Sequence, residues 1–164
     1  MNMKWILVLA LLLTPVAAKA EVIDQITVGN WKLRAQTNDR GRFSHCSMKA
    51  QYDNGIALNF RLTKDMKWTM SFDNERWSLR NGGTVPIQYR VDHGPWIRTK
   101  AQAVGRDQLG VNLIESNKLF ALFKRGDTLI VEAGDQTLRF SLAGTSIGLD
   151  TLMNCVQRHS RGRR

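Results

Sequence analysis

The chain has 164 residues, a formal net charge of +10 and only two cysteines. Its length suits one domain with a buried core, and the sequence contains no internal repeat or linker that would mark a second domain. The positive charge favours anionic partners in general and has no bearing on the fold.

The first 20 residues have the features of a signal peptide. Lys4 supplies a positive n-region, residues 5–13 form an apolar run, and Ala18-Lys19-Ala20 matches the small–x–small pattern of a signal peptidase site. The run is shorter than the roughly 20 apolar residues of a transmembrane helix. We therefore expect residues 1–20 to be removed on export to the periplasm or the medium. This leader contains two lysines and no acidic residue, so the exported chain has a charge of +8. We expect no transmembrane segment in the exported chain.

Alternation of apolar and polar residues predicts β-strands over much of the remaining chain. The alternating runs cover residues 31–35, 56–62, 68–72, 77–79 and 85–91, and polar turns separate most of them. A period of two between polar turns is typical of half-buried strands in an antiparallel sheet. The further predicted elements, in chain order, are a short strand around Trp96, a strand over 109–113, a short helix over 119–123, and a hairpin of 129–133 with 138–142.

Apolar residues after position 144 recur every three or four positions, which predicts an amphipathic C-terminal helix. Its apolar face consists of Leu149, Leu152, Met153 and Val156. Thr145 or Ser146 is expected to cap its start. Residues 157–164 contain no apolar residue, so we expect a disordered basic tail. The predicted fold over residues 21–156 is a single, mainly β domain, an antiparallel β-sandwich or barrel-like fold with a short helix and a C-terminal helix.

The two cysteines, Cys46 and Cys155, are expected to form a disulfide. An exported chain meets oxidising conditions, in which cysteine pairs form disulfides by default. The bond would tie an early segment of the chain to the C-terminal helix. Two free thiols are the alternative.

Residues 144–148 match G-x-S-x-G, the turn that carries the nucleophile of many hydrolases. Asp150 and His159 follow Ser146 as a candidate acid and base. The nucleophile turn belongs to parallel sheets, whereas this sequence predicts antiparallel hairpins. A histidine far along the helix that begins at the serine also cannot turn back onto it. We therefore expect no catalytic residue, and a small serine hydrolase using Ser146 is one alternative function.

A second alternative is a metal-handling protein. His45 and Cys46 are adjacent, and Cys155 and His159 lie four residues apart, so the four side chains could supply a Cys₂His₂ site. The sequence has no C-x-x-C pair, and oxidation would remove both thiolate ligands. We expect no metal and no other cofactor.

Several cations lie next to aromatic residues, as in Trp31-Lys32 and Lys67-Trp68, a combination that can bind nucleic acid. On a strand, however, neighbouring side chains point to opposite faces, so the aromatic residues enter the core and the cations face solvent. We expect a basic outer face and no nucleic-acid partner. The tail contributes further candidate anion-binding residues, Arg158, Arg161, Arg163 and Arg164.

The stretch LFALFKRGDTLIVEAGDQTLRFSLAGTSIGLDTLMNCV, residues 119–156, resembles the closing segment of invasion-associated locus B-like periplasmic proteins. Gly29-Asn30-Trp31 resembles their opening strand. The resemblance implies an envelope protein with a β-sandwich-like fold and no established catalytic residues. Together with the leader and the charge, it predicts an exported, non-catalytic binding or accessory protein. Its expected partner is an anionic envelope component or a protein, and peripheral membrane contact is compatible with this expectation.

Overall fold

A computed structural model describes residues 19–113 and 117–161 of the chain. The predicted signal peptide therefore lies almost entirely outside the described residues, as do Arg163 and Arg164. The described chain contains ten strands and two helices: β1 (Val22–Val28), β2 (Trp31–Thr37), β3 (Phe43–Gln51), β4 (Ala57–Thr63), β5 (Trp68–Asp73), β6 (Thr84–Val91), β7 (Ile97–Ala103), β8 (Gln108–Asn112), α1 (Asn117–Arg125), β9 (Thr128–Ala133), β10 (Gln136–Ser141) and α2 (Thr145–Arg161).

The strands of the described chain form one sheet in the order β1-β2-β3-β4-β5-β8-β7-β6-β9-β10, and each neighbouring pair is antiparallel. The predicted fold class, mainly β and antiparallel with a short helix and a C-terminal helix, is confirmed. The predicted hairpin of β9 and β10 is also present, with Gln136 paired to Ala133 beside the turn.

The sheet curls so that its two halves face each other across the core. Phe72 in β5 and Phe140 in β10 have ring centroids 5.4 Å apart, although five strand spacings separate them in the sheet order. In a flat sheet these strands would lie roughly 24 Å apart, at about 4.8 Å per spacing. The Tyr52 hydroxyl, just after β3, also donates to the Ser141 carbonyl at 2.5 Å. These contacts make the fold sandwich-like.

Helix α2 covers the inner face of β2 and β3 and closes the core. Its predicted apolar face is correct, because Leu149, Leu152 and Val156 are buried, with Met153 half-buried beside them. The Trp31 side chain lies under the start of the helix and is fully buried. Its indole N–H donates to the Ala143 carbonyl at 3.0 Å, which satisfies the polar atom of the largest buried side chain.

The chain enters α2 through a turn at Gly144, whose φ of +77° is a left-handed conformation that favours glycine. The helix begins at Thr145, as predicted, but the expected hydroxyl cap is wrong for this residue. The Thr145 Oγ1 atom is buried and has no hydrogen-bond partner. The start of the helix is instead held by backbone bonds, including the Thr145 N–H to the Leu142 carbonyl at 2.9 Å.

The disordered-tail prediction is wrong for residues 157–161, because α2 continues to Arg161. The sequence gives this segment no apolar residue, but its polar side chains find partners on the sheet. Arg158 and His159 lie 3.5 and 3.4 Å from the Asp24 carboxylate of β1, and the His159 ring stacks on Phe43. Contacts with two strands therefore extend the helix beyond its apolar face.

The predicted strand over 77–79 is also wrong. The segment between β5 and β6 forms turns, in which the Trp77 N–H bonds to the Asn74 carbonyl at 2.9 Å. The Leu79 N–H bonds to the Arg106 carbonyl in the β7–β8 turn at 2.7 Å. Conversely, β1 and β3 were not predicted as strands. The alternation of Cys46 and Met48 with polar residues in β3 is a signal that could have identified it.

The Cys46–Cys155 disulfide is present and links β3 to α2 across 109 residues of sequence. We predict that Cys46→Ser and Cys155→Ser each lower the free energy of unfolding by about 2–5 kcal/mol, because each removes the same long-loop cross-link. The double variant should be little less stable than either single variant. Urea unfolding under non-reducing conditions measures all three proteins. Additive effects of the two substitutions would contradict this account.

Candidate functional site

The Ser146 motif does not bring together a catalytic triad. Ser146 lies exposed in the first turn of α2, and Asp150 in the next turn forms an ion pair with a lysine of α1 at 2.6 Å. His159 is 13 residues further along the same helix, which places it about 20 Å from Ser146 at 1.5 Å per residue. The three side chains are therefore too far apart to exchange a proton.

The candidate metal ligands are also separated. The disulfide consumes both thiols. His45 lies on the opposite face of β3 from Cys46, because successive side chains of a strand alternate. Its ring nitrogens contact Gln36 Oε1 at 2.9 Å and Ser44 Oγ at 3.1 Å. Within residues 19–113 and 117–161, no cluster of three or more histidine, cysteine or acidic side chains could hold a metal ion.

The environment of His45 disfavours its protonated form. Burial, and secondly the positive charge of Arg61, lower the pKa of His45 from 6.5 to about 4. The imidazole is therefore neutral at pH 7, and it exchanges hydrogen bonds with neutral side chains instead of pairing with a carboxylate. This histidine serves as a neutral hydrogen-bonding residue of the outer face.

The outward-facing side chains of β2, β3 and β4 form the floor of a concave polar groove of about 660 Å³. Its lining residues are Thr27, Gly29, Asn30, Lys32, Arg34, Gln36, Ser47, Lys49, Gln51, Asn59 and Asp73.

A second groove of about 470 Å³ continues from the first, because both are lined by Lys49, Gln51 and Asp73. It runs towards the turn after β5, where Arg76 and Asp107 contribute to its wall. The two grooves together are called the outer trough. Its lining includes cations, carboxylates and side-chain amides, so the trough can form hydrogen bonds and ion pairs along its length.

The positive charge of the outer trough is concentrated at its β2 end. Lys49 is paired with Asp73 at 2.7 Å, and the same carboxylate accepts a hydrogen bond from Gln108 at 2.7 Å. By contrast, Arg34 bonds to the neutral Gln25 amide at 3.1 Å. In the described part of the chain, neither Lys32 nor Arg34 has a carboxylate within 4.0 Å. These two cations therefore retain their charge for an external anion.

The two candidate arginines of the tail that the structure describes, Arg158 and Arg161, do not line the outer trough. Arg158 is 63% exposed and approaches Asp24 on the inner side of β1. Arg161 is exposed in the last turn of α2, where a positive charge also stabilises the helix dipole.

Alternation correctly placed Lys32 and Arg34 on the outer face, but the contribution of Lys49 and Asp73 to one concave surface was not predicted.

No protein-family model matches the chain, and no curated protein matches it. Among solved structures, the chain is similar to the crystal structure of invasion associated protein B from Bartonella henselae, with a TM-score of 0.60 and 17% sequence identity. The match covers 82% of this chain and 97% of that chain. At this identity the likeness concerns the fold, and it confirms the loose resemblance that residues 119–156 suggested.

We predict that Ser146→Ala changes the free energy of unfolding by less than about 1 kcal/mol. The side chain is exposed, and backbone hydrogen bonds already hold the start of α2. Thermal unfolding measures the effect, with Leu152→Ala as a destabilising comparison, because Leu152 is a fully buried side chain of the same helix. Loss of an ester-hydrolysing activity in Ser146→Ala, with unchanged stability, would instead support the hydrolase.

We predict that the wild-type protein loses about 1–2 kcal/mol more stability than His45→Gln between pH 6.5 and pH 4, a figure that allows for solvent screening of this partly exposed imidazole. The pKa of His45 is lowered to about 4 in the folded state, so the unfolded chain binds a proton first as the pH falls. The stability contributed above pH 6.5 is therefore lost as the pH decreases through this window. Urea unfolding at successive pH values tests this, with the exposed His93→Gln as control. Equal pH profiles for the wild type and His45→Gln would contradict it.

Proposed function

We propose that this chain is an exported, non-catalytic binding protein that acts on a polyanionic component of the cell envelope. The leader-like residues 1–20 and the Cys46–Cys155 disulfide support export, because disulfides persist in oxidising compartments. The wide separation of Ser146, Asp150 and His159 supports a binding role over hydrolysis. In the part of the chain that the structure describes, no helix is long and apolar enough to cross a membrane.

The observation that carries this proposal is the outer trough, at whose β2 end Lys32 and Arg34 have no carboxylate within 4.0 Å in the described part of the chain. The trough is long, open and polar, which suits a segment of an extended polymer better than an enclosed small molecule. Charged groups aligned on such a surface attract a polyanion over roughly one Debye length and fix its orientation at short range.

The chemistry of the lining further defines the ligand. The neutral groups of the outer trough include the amides of Gln36, Gln51 and Asn59, which bind hydroxyl and carbonyl groups. Asn59 Oδ1 is buried without a partner in the described structure. The described lining contains no aromatic residue, and the large aromatic side chains Trp31 and Phe60 are buried in the core. This favours a carbohydrate chain bearing phosphate or carboxylate groups over nucleic acid, whose bases stack on aromatic rings.

The comparison structure is relevant to location. The Bartonella protein with this fold is described as invasion associated, which agrees with a role at the cell envelope. The exposed arginines of α2, Arg158 and Arg161, would add a peripheral contact with an anionic membrane surface. In this proposal the outer trough binds the polymer, and the end of α2 contributes non-specific attraction.

We predict that Lys32→Gln/Arg34→Gln weakens binding to dextran sulfate by about tenfold, which corresponds to about 1.4 kcal/mol. The matched control is Arg98→Gln/Lys100→Gln, which removes two exposed cations at alternate positions of β7 outside the outer trough. Titration calorimetry at 50 mM and 200 mM salt measures the affinities. Equal losses in the two variants would show that only net charge matters and would exclude the outer trough as the site.

The contribution of α2 is separated by Arg158→Gln/Arg161→Gln in the same assay and in co-sedimentation with phosphatidylglycerol vesicles. We expect this variant to bind vesicles more weakly and to retain its affinity for dextran sulfate. A loss on dextran sulfate as large as that of Lys32→Gln/Arg34→Gln would place the polymer on α2 and contradict the proposed site.

A further inference from the structure

Strand β1 forms one edge of the sheet and leaves one of its sides unpaired. It also exposes aliphatic side chains, since Val22, Ile23 and Ile26 are 40%, 45% and 50% exposed. Edge strands of monomeric proteins usually carry charges or proline that prevent pairing with another chain. Residues 24–28 contain no lysine, arginine or proline, and their one charged residue, Asp24, is paired with Arg158 of α2 at 3.5 Å.

The register with β2 identifies the backbone groups on the open side. Val28 pairs with Trp31 across the two-residue turn Gly29-Asn30, in which Gly29 has a φ of +56°. The residues that flank such a turn exchange backbone hydrogen bonds, and bonded and non-bonded pairs alternate from there. Val28, Ile26 and Asp24 therefore bond to β2. The N–H and C=O groups of Gln25 and Thr27 point to the open edge.

We propose that two copies of this chain associate through antiparallel pairing of their β1 strands, with the twofold axis at Ile26. In this register Gln25 lies opposite Thr27 of the second copy and exchanges both backbone hydrogen bonds with it, and the same pair recurs across the axis. The two Ile26 residues form the central non-hydrogen-bonded pair, in which side chains are closest. Their exposed aliphatic groups would cover each other.

A second copy suits this edge because the register is self-complementary. Asp24 lies opposite Val28 of the second copy, so no like charges meet along the line where the two β1 strands pair, which is called the seam. Pairing of β1 with the other edge, β10, would instead be head-to-tail and would build open chains, whereas β1 with β1 closes as a dimer. β10 also carries the exposed Arg139, a charge that disfavours pairing of this edge with another chain.

Helix α2 provides a second apolar contact beside the seam. Thr151 lines a shallow cleft with Ile26 between α2 and β1. Ile147 lies one turn earlier on the same helix face and is 63% exposed. In the dimer this aliphatic side chain borders the inner side of the seam in each copy. The pairing borders the polyanion site at Thr27, which lines the outer trough, whereas Ile26 lies on the opposite face of the sheet.

The test uses single cysteine substitutions in the chain recovered from the periplasm. Ile26→Cys should form a covalent dimer on mild oxidation. Directly paired Cα atoms in a non-hydrogen-bonded pair are about 4.5 Å apart, which lies within the 4.4–6.8 Å span of disulfides. Thr27→Cys is the matched control and should remain monomeric on a non-reducing gel, because its opposite residue is Gln25. The native disulfide is buried and should not exchange.

Analytical ultracentrifugation of the unmodified wild type gives a second measurement that needs no substitution. We expect a concentration-dependent dimer whose affinity increases with salt, because each exported copy is positively charged. Ile26→Asp should be monomeric, with a circular dichroism spectrum that shows the fold is retained. A wild type that remains monomeric at 500 μM in both low and high salt would overturn the proposal. Equal cross-linking of Ile26→Cys and Thr27→Cys would overturn the register.

Discussion

The packing of α2 on Trp31 and Met48 is the contact on which the rest of the fold depends. The helix can approach β2 and β3 closely because Gly148 has no side chain where it passes Met48. The Trp31 indole and the Cys46–Cys155 bond then fix the two ends of this contact. With the inner face of the sheet covered in this way, the two halves of the curled sheet close around one core.

This closure of the core also determines which side chains face solvent and can bind a ligand. The large aromatic side chains and every second side chain of a strand lie in the core. The outer surface of β2–β5 therefore consists of the alternate positions, which are mostly polar. The outer trough lies on these polar positions, and its cations Lys32 and Arg34 are carried on strand β2.

Much of the fold could be predicted from local patterns, because alternation and helical spacing are properties of short segments. They identified β2, β4, β5, β6, the last hairpin and the apolar face of α2. The expectation of export predicted the disulfide. Edge strand β1 was missed because it has little burial on either face and so no alternation. The continuation of α2 to Arg161 depends on Asp24 and Phe43, which are more than 100 residues away in sequence. The outer trough likewise combines residues from positions 27 to 108, which only the folded sheet brings together.

The 109-residue separation of the two cysteines also sets the order of events during biogenesis. A chain made at about 5–20 residues per second completes Cys155 roughly 5–20 s after Cys46. During that interval β2 and β3 have no helix to cover them, and Trp31 has no partner for its indole. Because the chain has only these two cysteines, it cannot form a wrong intramolecular disulfide while it waits. The bond that seals the core can therefore form only after Cys155 has been made, so its presence marks a molecule in which α2 has reached the sheet.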